Sequence, residues 1–152
     1  MGAPVILDAA PEDGEPIRAL MAAAIEYGVT RDPALLAETL ANVNRNLDLW
    51  LAEPARCLHL KALLDGRLAG VVLVKDGWNL CSLFVAPEAQ RAGIGRALFE
   101  AAAARCRGRS AKGALWLNAA GNAIPFYERL GCVPRQSAQV LPPGFMPMRR
   151  AL

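Results

Sequence analysis

Residues 90–98 read Gln-Arg-Ala-Gly-Ile-Gly-Arg-Ala-Leu, and they join two segments of opposite character. Before them, residues 80–85 form an apolar stretch typical of a strand, and after them an alanine-rich helical stretch continues to about residue 107. A strand that turns through glycines into a helix leaves the first N–H groups of that helix without main-chain partners. The segment therefore predicts a strand–turn–helix unit with free amides at the turn.

Free amides at a helix N-terminus, together with the positive end of the helix dipole, favour a bound phosphate. Gly93 and Gly95 have no Cβ, so a bulky anion can approach the main chain closely. Arg91 and Arg96 add fixed positive charge suited to phosphate oxygens. We therefore expect this turn to bind a phosphorylated cofactor.

Two common phosphate-binding loops do not match. The loop of ATP-binding proteins requires Gly, four residues and then Gly-Lys-Ser/Thr, which the chain lacks. The dinucleotide fingerprint requires a third Gly or Ala where Leu98 stands, and an acidic residue about twenty positions later. Residues 115–118, Leu-Trp-Leu-Asn, contain no acid. The absence of both patterns argues against a nucleotide-binding domain.

Length and composition indicate one folded domain spanning residues 1–152. The chain is 54% hydrophobic and only 20% charged, which is enough apolar material for a sizeable core. A net charge of +3 without a face-sized basic cluster gives no indication of nucleic-acid binding, but it suits a polyanionic cofactor.

The cysteines and the single histidine indicate a cytoplasmic protein without a metal site. The four cysteines form no Cys-x-x-Cys pair and lie in apolar stretches, so we expect four reduced, buried thiols. His59 cannot make a metal cluster alone. The sequence shows no signal peptide and no apolar run long enough to span a bilayer, so no membrane association is expected.

Hydrophobic periodicity and turn residues predict an α+β fold. Asp65-Gly66 and Asp76-Gly77 separate three strands into an antiparallel meander. We expect a mixed, mostly antiparallel central sheet of six to seven strands flanked by about four helices. The expected elements are strands at 5–7, 57–64, 68–75, 79–85, 114–118 and 146–152, and helices at 16–27, 33–46, about 94–107 and 122–130.

Two blocks resemble the GNAT N-acetyltransferase superfamily. The first is Leu-Phe-Val-x-Pro-Glu followed by Gln-x-x-Gly-x-Gly (residues 83–95), and the second is the segment 117–132, which contains Phe-Tyr-Glu-Arg-Leu-Gly. Together they cover roughly residues 78–134, in the order and at the separation usual in that family. The resemblance implies a GNAT-like fold that binds acetyl-CoA, with the pantetheine arm between the splayed fourth and fifth strands, here 79–85 and 114–118.

The resemblance also implies a set of cofactor-binding residues. Phe84 and Val85 would offer backbone groups to the pantetheine amides, and Asn118 would hydrogen-bond the same arm. Asn122 fits two roles, a pantetheine contact or the N-cap of its own helix. The loop residues that would hold the pyrophosphate are Gln90, Arg91, Ala92, Gly93, Ile94, Gly95, Arg96 and Ala97.

Tyr127 is the candidate catalytic residue. By resemblance, its hydroxyl would hydrogen-bond or protonate the departing thiolate, since a phenol with a pKa near ~10 stays protonated at neutral pH. The alternative is an aromatic side chain that only packs the helix on the sheet. The general base is unassigned: some family members place Glu eleven positions before the loop Gln, where this chain has Asn79. Water-linked relays through Ser82, His59 or Glu88 stay open.

The implied activity is acetyl transfer from acetyl-CoA to a primary amine, by direct attack in a ternary complex. The acceptor is open between a small molecule and a peptide or protein amine, and no cysteine comes with a paired base for a covalent relay. Acids of the helical half (Glu26, Asp32, Glu38, Asp48 and Glu53) would either line a site for a cationic amine or lie on a plain surface. The alternative function is a non-catalytic acyl-CoA-binding sensor or docking module. Exposed edges of the last strands allow a homodimer.

Overall fold

The computed structural model describes residues 2–152, which form seven strands and four α-helices around one sheet. The sheet order is β1-β2-β3-β4-β5-β7-β6, and all neighbours are antiparallel except β4 and β5. The predicted α+β fold and its strand number are confirmed. The elements are β1 (Val5–Asp8), α1 (Gly14–Gly28), α2 (Pro33–Ala52), β2 (Cys57–Leu64), β3 (Arg67–Lys75), β4 (Asn79–Val85), α3 (Ile94–Cys106), β5 (Ala114–Ala119), α4 (Ile124–Arg129), β6 (Val133–Pro134) and β7 (Met146–Ala151).

The meander β2–β3–β4 is closed by the two predicted Asp-Gly turns. Asp65 and Gly66 have φ angles of 52° and 77°, and Asp76 and Gly77 have 56° and 78°. Two consecutive positive φ angles define the tight hairpin turn whose twist matches the strands it joins. These turns fix the bounds of β2, β3 and β4 to within a residue of the prediction.

The sheet opens between β4 and β5. These parallel strands share a single paired position, Asn79 with Trp116, and the N–H of Trp116 donates to the Trp78 carbonyl at 2.8 Å. Beyond this point β4 stays paired with β3 and β5 stays paired with β7. The splayed strands are thus confirmed, and the gap widens toward the carboxyl ends of both.

Three helices differ from their predicted bounds. α1 begins two residues early, because a 3₁₀ turn at Pro11–Asp13 leads directly into it. α2 continues six residues beyond residue 46, since Leu47 and Trp50 extend its buried face and only Pro54 stops it. The last predicted helix splits into a 3₁₀ turn at Gly121–Ala123 and the short α4.

Helices cover the two faces of the sheet. α3 packs on β2, β3 and β4, and a Cβ added at Gly70 would lie 2.9 Å from Leu98 and 3.0 Å from Ile94 of that helix. α1 packs on β3 and β4, and Trp50 of α2 meets the His59 ring edge-on at 4.3 Å between centroids. Because strand side chains alternate, His59 and its cross-strand partner Leu73 face away from α3.

Two polar side chains are buried in the layer between the sheet and α1–α2. His59 is 4% exposed and Ser82 is 3% exposed, and both pair across strands with Leu73. Within the described chain, His59 Nδ1 and Ser82 Oγ have no hydrogen-bond partner. Burial lowers the pKa of His59 to about 4, with Asp13 opposing the shift, so the ring is neutral at pH 7.

All four cysteines are free thiols, as their spacing predicts. Only Cys106 and Cys132 are buried, while Cys57 and Cys81 are half-buried, which corrects the expectation of four buried thiols. Among residues 2–152, no helix combines the length and apolar character needed to cross a membrane.

Substituting alanine at Gly70 is expected to lower the free energy of unfolding by about 1–3 kcal/mol, because the new methyl overlaps Leu98 and the Phe84 carbonyl oxygen. Gly28→Ala is the control: Gly28 is the last residue of α1 and its Cβ would meet nothing within 4 Å, so the free energy of unfolding should change by less than about 1 kcal/mol. Urea unfolding of both variants measures this, and equal effects would contradict the close packing of α3 on β3.

The neutral His59 predicts a pH-dependent stability. Its pKa rises from about 4 in the folded chain to ~6.5 when unfolded, so the unfolded state binds the proton more tightly. The stabilisation is complete above the unfolded pKa and is lost as pH falls toward the folded one. We expect a loss of about 2 kcal/mol between pH 7 and pH 5. The same loss in His59→Gln would show that another group titrates.

Candidate functional site

The turn between β4 and α3 carries a run of unpaired amides. Gly93 occupies the N-cap position of α3 in the left-handed conformation, with φ of 75°, and Arg91 also has a positive φ of 67°. The first hydrogen bond of the helix runs from the Ala97 N–H to the Gly93 carbonyl at 3.0 Å. Within residues 2–152, the N–H groups of residues 90–96 have no acceptor.

The surroundings of these amides favour an anion. Arg91 and Arg96 are exposed, and neither forms an ion pair with the part of the chain that the structure describes. Ile94, 1% exposed, anchors the first turn of α3 in the core. The amides are thus held by a rigid element, and the charge beside them is available to a ligand.

The two glycines of the loop have different roles. A Cβ at Gly93 would meet nothing within 4 Å, so the space beside this residue is open. A Cβ at Gly95 would lie 3.2 Å from Cζ of Phe126 and 3.6 Å from Cγ2 of Val85. Gly95 therefore also allows α4 to approach α3, while its own N–H has no acceptor within residues 2–152.

Main-chain groups of β4 line the open side of the gap. The Gln90 side chain donates from Nε2 to the Val85 carbonyl at 2.9 Å, while the N–H of Ala86 donates to β3 at 2.8 Å. Because main-chain groups alternate direction along an antiparallel strand, those of Val85 face the gap and those of Phe84 face β3. Phe84, which by resemblance would offer backbone groups to the pantetheine amides, thus directs those groups to β3, and Leu83, which the sequence pattern did not indicate, faces the gap instead.

Tyr127 lies on α4 beside the first turns of α3. Its side chain is 8% exposed, and its ring contacts Phe126 and Phe99 edge-on, at centroid distances of 5.1 Å and 6.1 Å. Burial raises the pKa of the Tyr127 phenol well above its usual value, with a smaller contribution from Cys132. The hydroxyl is therefore a hydrogen-bond donor that stays protonated at any physiological pH.

The two asparagines already contact other side chains or main chain. Asn118 accepts from Arg135 Nη2 at 3.2 Å and donates weakly to Gln139 at 3.5 Å. Asn122 donates from Nδ2 to the Gly28 carbonyl at the end of α1, and α4 has no side-chain cap. The alternative prediction, that Asn122 is the N-cap of its own helix, is therefore wrong, since Ala123 occupies the N-cap position of α4. Its contact with Gly28 joins segments 94 positions apart, which no local pattern can reveal.

The side chains weighed as bases do not form an acid–base pair. Asn79 stands at the point where the sheet opens, Ser82 and His59 lie in the buried layer behind β4, and Glu88 is exposed. Burial raises the pKa of the Cys81 and Cys132 thiols to about 11, so neither is a thiolate nucleophile at neutral pH. No group of three or more metal-ligating side chains occurs in residues 2–152.

The family follows from comparison with known proteins. The family model described as an acetyltransferase (GNAT) domain matches residues 50–149. The chain therefore belongs to the GNAT acetyltransferase family, which confirms the resemblance of its two sequence blocks. A search among proteins of curated function gave no match.

Solved structures share the fold along nearly the whole chain. A GCN5-related N-acetyltransferase from Rhodopseudomonas palustris is 24% identical with a TM-score of 0.81, covering 100% of this chain and 98% of that one. The PaiA N-acetyltransferase of Thermoplasma acidophilum, in complex with coenzyme A, is 18% identical with a TM-score of 0.78, covering 99% and 100%. A GNAT acetyltransferase from Brucella melitensis, in complex with acetyl-CoA, is 22% identical with a TM-score of 0.66, covering 97% and 88%.

Proposed function

We propose that residues 1–152 form one N-acetyltransferase domain that uses acetyl-CoA to acetylate a primary amine of a small molecule or peptide. The observation that carries this proposal is the run of unpaired N–H groups at residues 90–96 beside the open β4–β5 gap. Membership of the GNAT family supports it. So do the coenzyme complexes of the Thermoplasma and Brucella proteins, which have the same fold.

The residues present fit the coenzyme. The amides of residues 90–96 would hold the diphosphate together with Arg91 and Arg96, and Gly93 leaves room for its oxygens. The outward main-chain groups of Leu83 and the N–H of Val85, whose carbonyl accepts from Gln90, would pair with the pantetheine amides as an added strand does. From the other side of the gap, Asn118 and Asn122 complete the proposed contacts.

Tyr127 is the residue that we propose acts on the reacting atoms. When bound, acetyl-CoA supplies a thioester whose carbonyl carbon accepts the amine directly in a ternary complex. The Tyr127 hydroxyl would donate a hydrogen bond to the sulfur, on which negative charge develops as the amine displaces the thiolate. Its burial and its protonated state suit a donor and exclude a base.

The acceptor must lose a proton before it attacks. The family position for a carboxylate holds Asn79, which accepts no proton at neutral pH. A primary amine of low pKa, such as an α-amine, needs the least assistance, so we propose that this class is acetylated fastest.

Removing the Tyr127 hydroxyl tests whether the domain catalyses acetyl transfer or only binds the coenzyme. We expect Tyr127→Phe to lower kcat by about 10²-fold or more while the KM for acetyl-CoA stays within about threefold, because only the donor to the departing sulfur is lost. Thiol release from acetyl-CoA over a panel of amines measures both. Tyr27→Phe, at the exposed second tyrosine, is the control. Tight coenzyme A binding with no thiol release by the wild-type protein would instead indicate a non-catalytic module.

Arg96→Gln tests the proposed binding site for the diphosphate. We expect the Kd for coenzyme A to rise about 3- to 30-fold, because the substitution removes one charged contact with the diphosphate. Arg107→Gln, at the opposite end of α3, is the matched control and should leave the Kd unchanged. Isothermal titration calorimetry of both variants gives the comparison, and equal effects would place the diphosphate elsewhere.

A further inference from the structure

An apolar groove lies between the start of α2 and the segment that precedes β7. It is open to solvent, with a volume of about 540 Å³, and six of its eight lining residues are apolar. Leu35 of α2 forms part of one wall, while Val140, Leu141 and Pro142 belong to the other. Val140 is 94% exposed, so a large apolar side chain stands open to solvent at the rim of the groove. Such a surface is suited to a hydrocarbon group.

Both polar residues of the groove are acidic. Asp32 caps α2 by accepting the Leu35 N–H at 2.9 Å through Oδ2, which leaves its second oxygen free. Glu38 lies two turns into the helix and has no cation within ion-pair distance in the described chain. No basic residue lines the groove. Its charge is therefore complementary to a cation.

Two contacts connect the groove with the end of the molecule that carries the gap. The Gly144 carbonyl packs so closely on Gly121 that a Cβ there would lie 3.1 Å away. The neighbouring Asn122 donates to Gly28, at the end of α1. Gly144 directly follows the segment 140–143, and Gly28 is joined to the start of α2 by residues 29–32, so both walls of the groove are connected in sequence to residues that contact the loop from β5 to α4, the helix of Tyr127.

We infer that this groove recognises the acceptor, and that the acceptor is an amine with a hydrocarbon body of several carbons, bound in its cationic form. The inference rests on the proposed function and adds the substrate class to it. Primary amines are cations at neutral pH, so Asp32 and Glu38 attract them, while the wall at 140–143 covers the hydrocarbon. A small polar amine uses only one of these two features.

Three non-reactive probes test the inference by binding alone. They are n-hexyltrimethylammonium (cation and hydrocarbon), tetramethylammonium (cation only) and 1-hexanol (hydrocarbon only), each titrated into the isotope-labelled protein by NMR. We expect the first to bind several-fold more tightly than either other probe, and the shifted resonances to cluster at residues 32–38 and 140–143.

Variants separate the two features. Glu38→Gln should weaken n-hexyltrimethylammonium about two- to fivefold, the range of an exposed ion pair, and Glu12→Gln, an exposed acid outside the groove, should not. Val140→Ser should weaken the same probe without affecting tetramethylammonium. Equal binding of all three probes, shifts elsewhere in the molecule, or no effect of Glu38→Gln would overturn the inference.

Coenzyme A titrated into the same proteins keeps the two proposals distinct. The groove variants should bind it as the wild-type protein does. Failure of coenzyme A to bind the wild-type protein would refute the proposed function, whatever the probes do. Normal binding of coenzyme A with no selectivity among the probes would refute only the substrate class.

Discussion

The site depends on where β4 loses its second neighbour. Asn79 and Trp116 form the only paired position between β4 and β5 in residues 2–152, so the later part of β4 carries main-chain groups with no partner strand. Unpaired main-chain groups are costly unless water or a ligand satisfies them. The free edge of β4 and the unpaired amides of residues 90–96 are separated only by the short 3₁₀ turn Pro87–Ala89, so the chain presents two sets of unpaired main-chain groups close together in sequence. A ligand with amides at one end and phosphates at the other would match both sets.

Apolar contacts of α3 with β3 and with Phe126 hold the amides of residues 90–96 in place. Gly70 lets Ile94 and Leu98 press against β3, and Gly95 lets Phe126 press against the first turn of α3. Both contacts involve the helix whose N-terminal amides form the proposed anion site, so those amides are held by buried apolar contacts. The second contact also brings Tyr127 to the first turns of α3, which links the proposed anion site to the candidate donor.

Local patterns in the sequence were sufficient to predict the strands and the helix that carry the candidate site. Asp-Gly turns set the three meander strands, and the glycine loop between an apolar stretch and an alanine-rich one located α3 and its amides. The end of α2 was missed because the polar residues 44–46 and Asp48 surround Leu47 and obscured a buried face that Leu47 and Trp50 continue. A local pattern describes neighbours in the chain, and it is weakest where the helix propensity of each residue is modest.

Long-range contacts were beyond sequence reasoning. The bond of Asn122 to Gly28, the contact of Gly95 with Phe126 and the groove between residues 32–38 and 140–143 each join distant segments. The missing partner of His59 Nδ1 is also a property of the packed interior. Composition and periodicity indicate that such residues are buried or exposed, but the residues they meet depend on the assembled sheet.

The most direct test of the central claim is a crystal structure of the protein with acetyl-CoA. We expect diphosphate oxygens within hydrogen-bond distance of the amides in residues 90–96, the pantetheine arm along Leu83 and Val85, and the thioester sulfur beside the Tyr127 hydroxyl. Coenzyme bound elsewhere, or a β5 strand closed against β4 with the amides left to solvent, would contradict it.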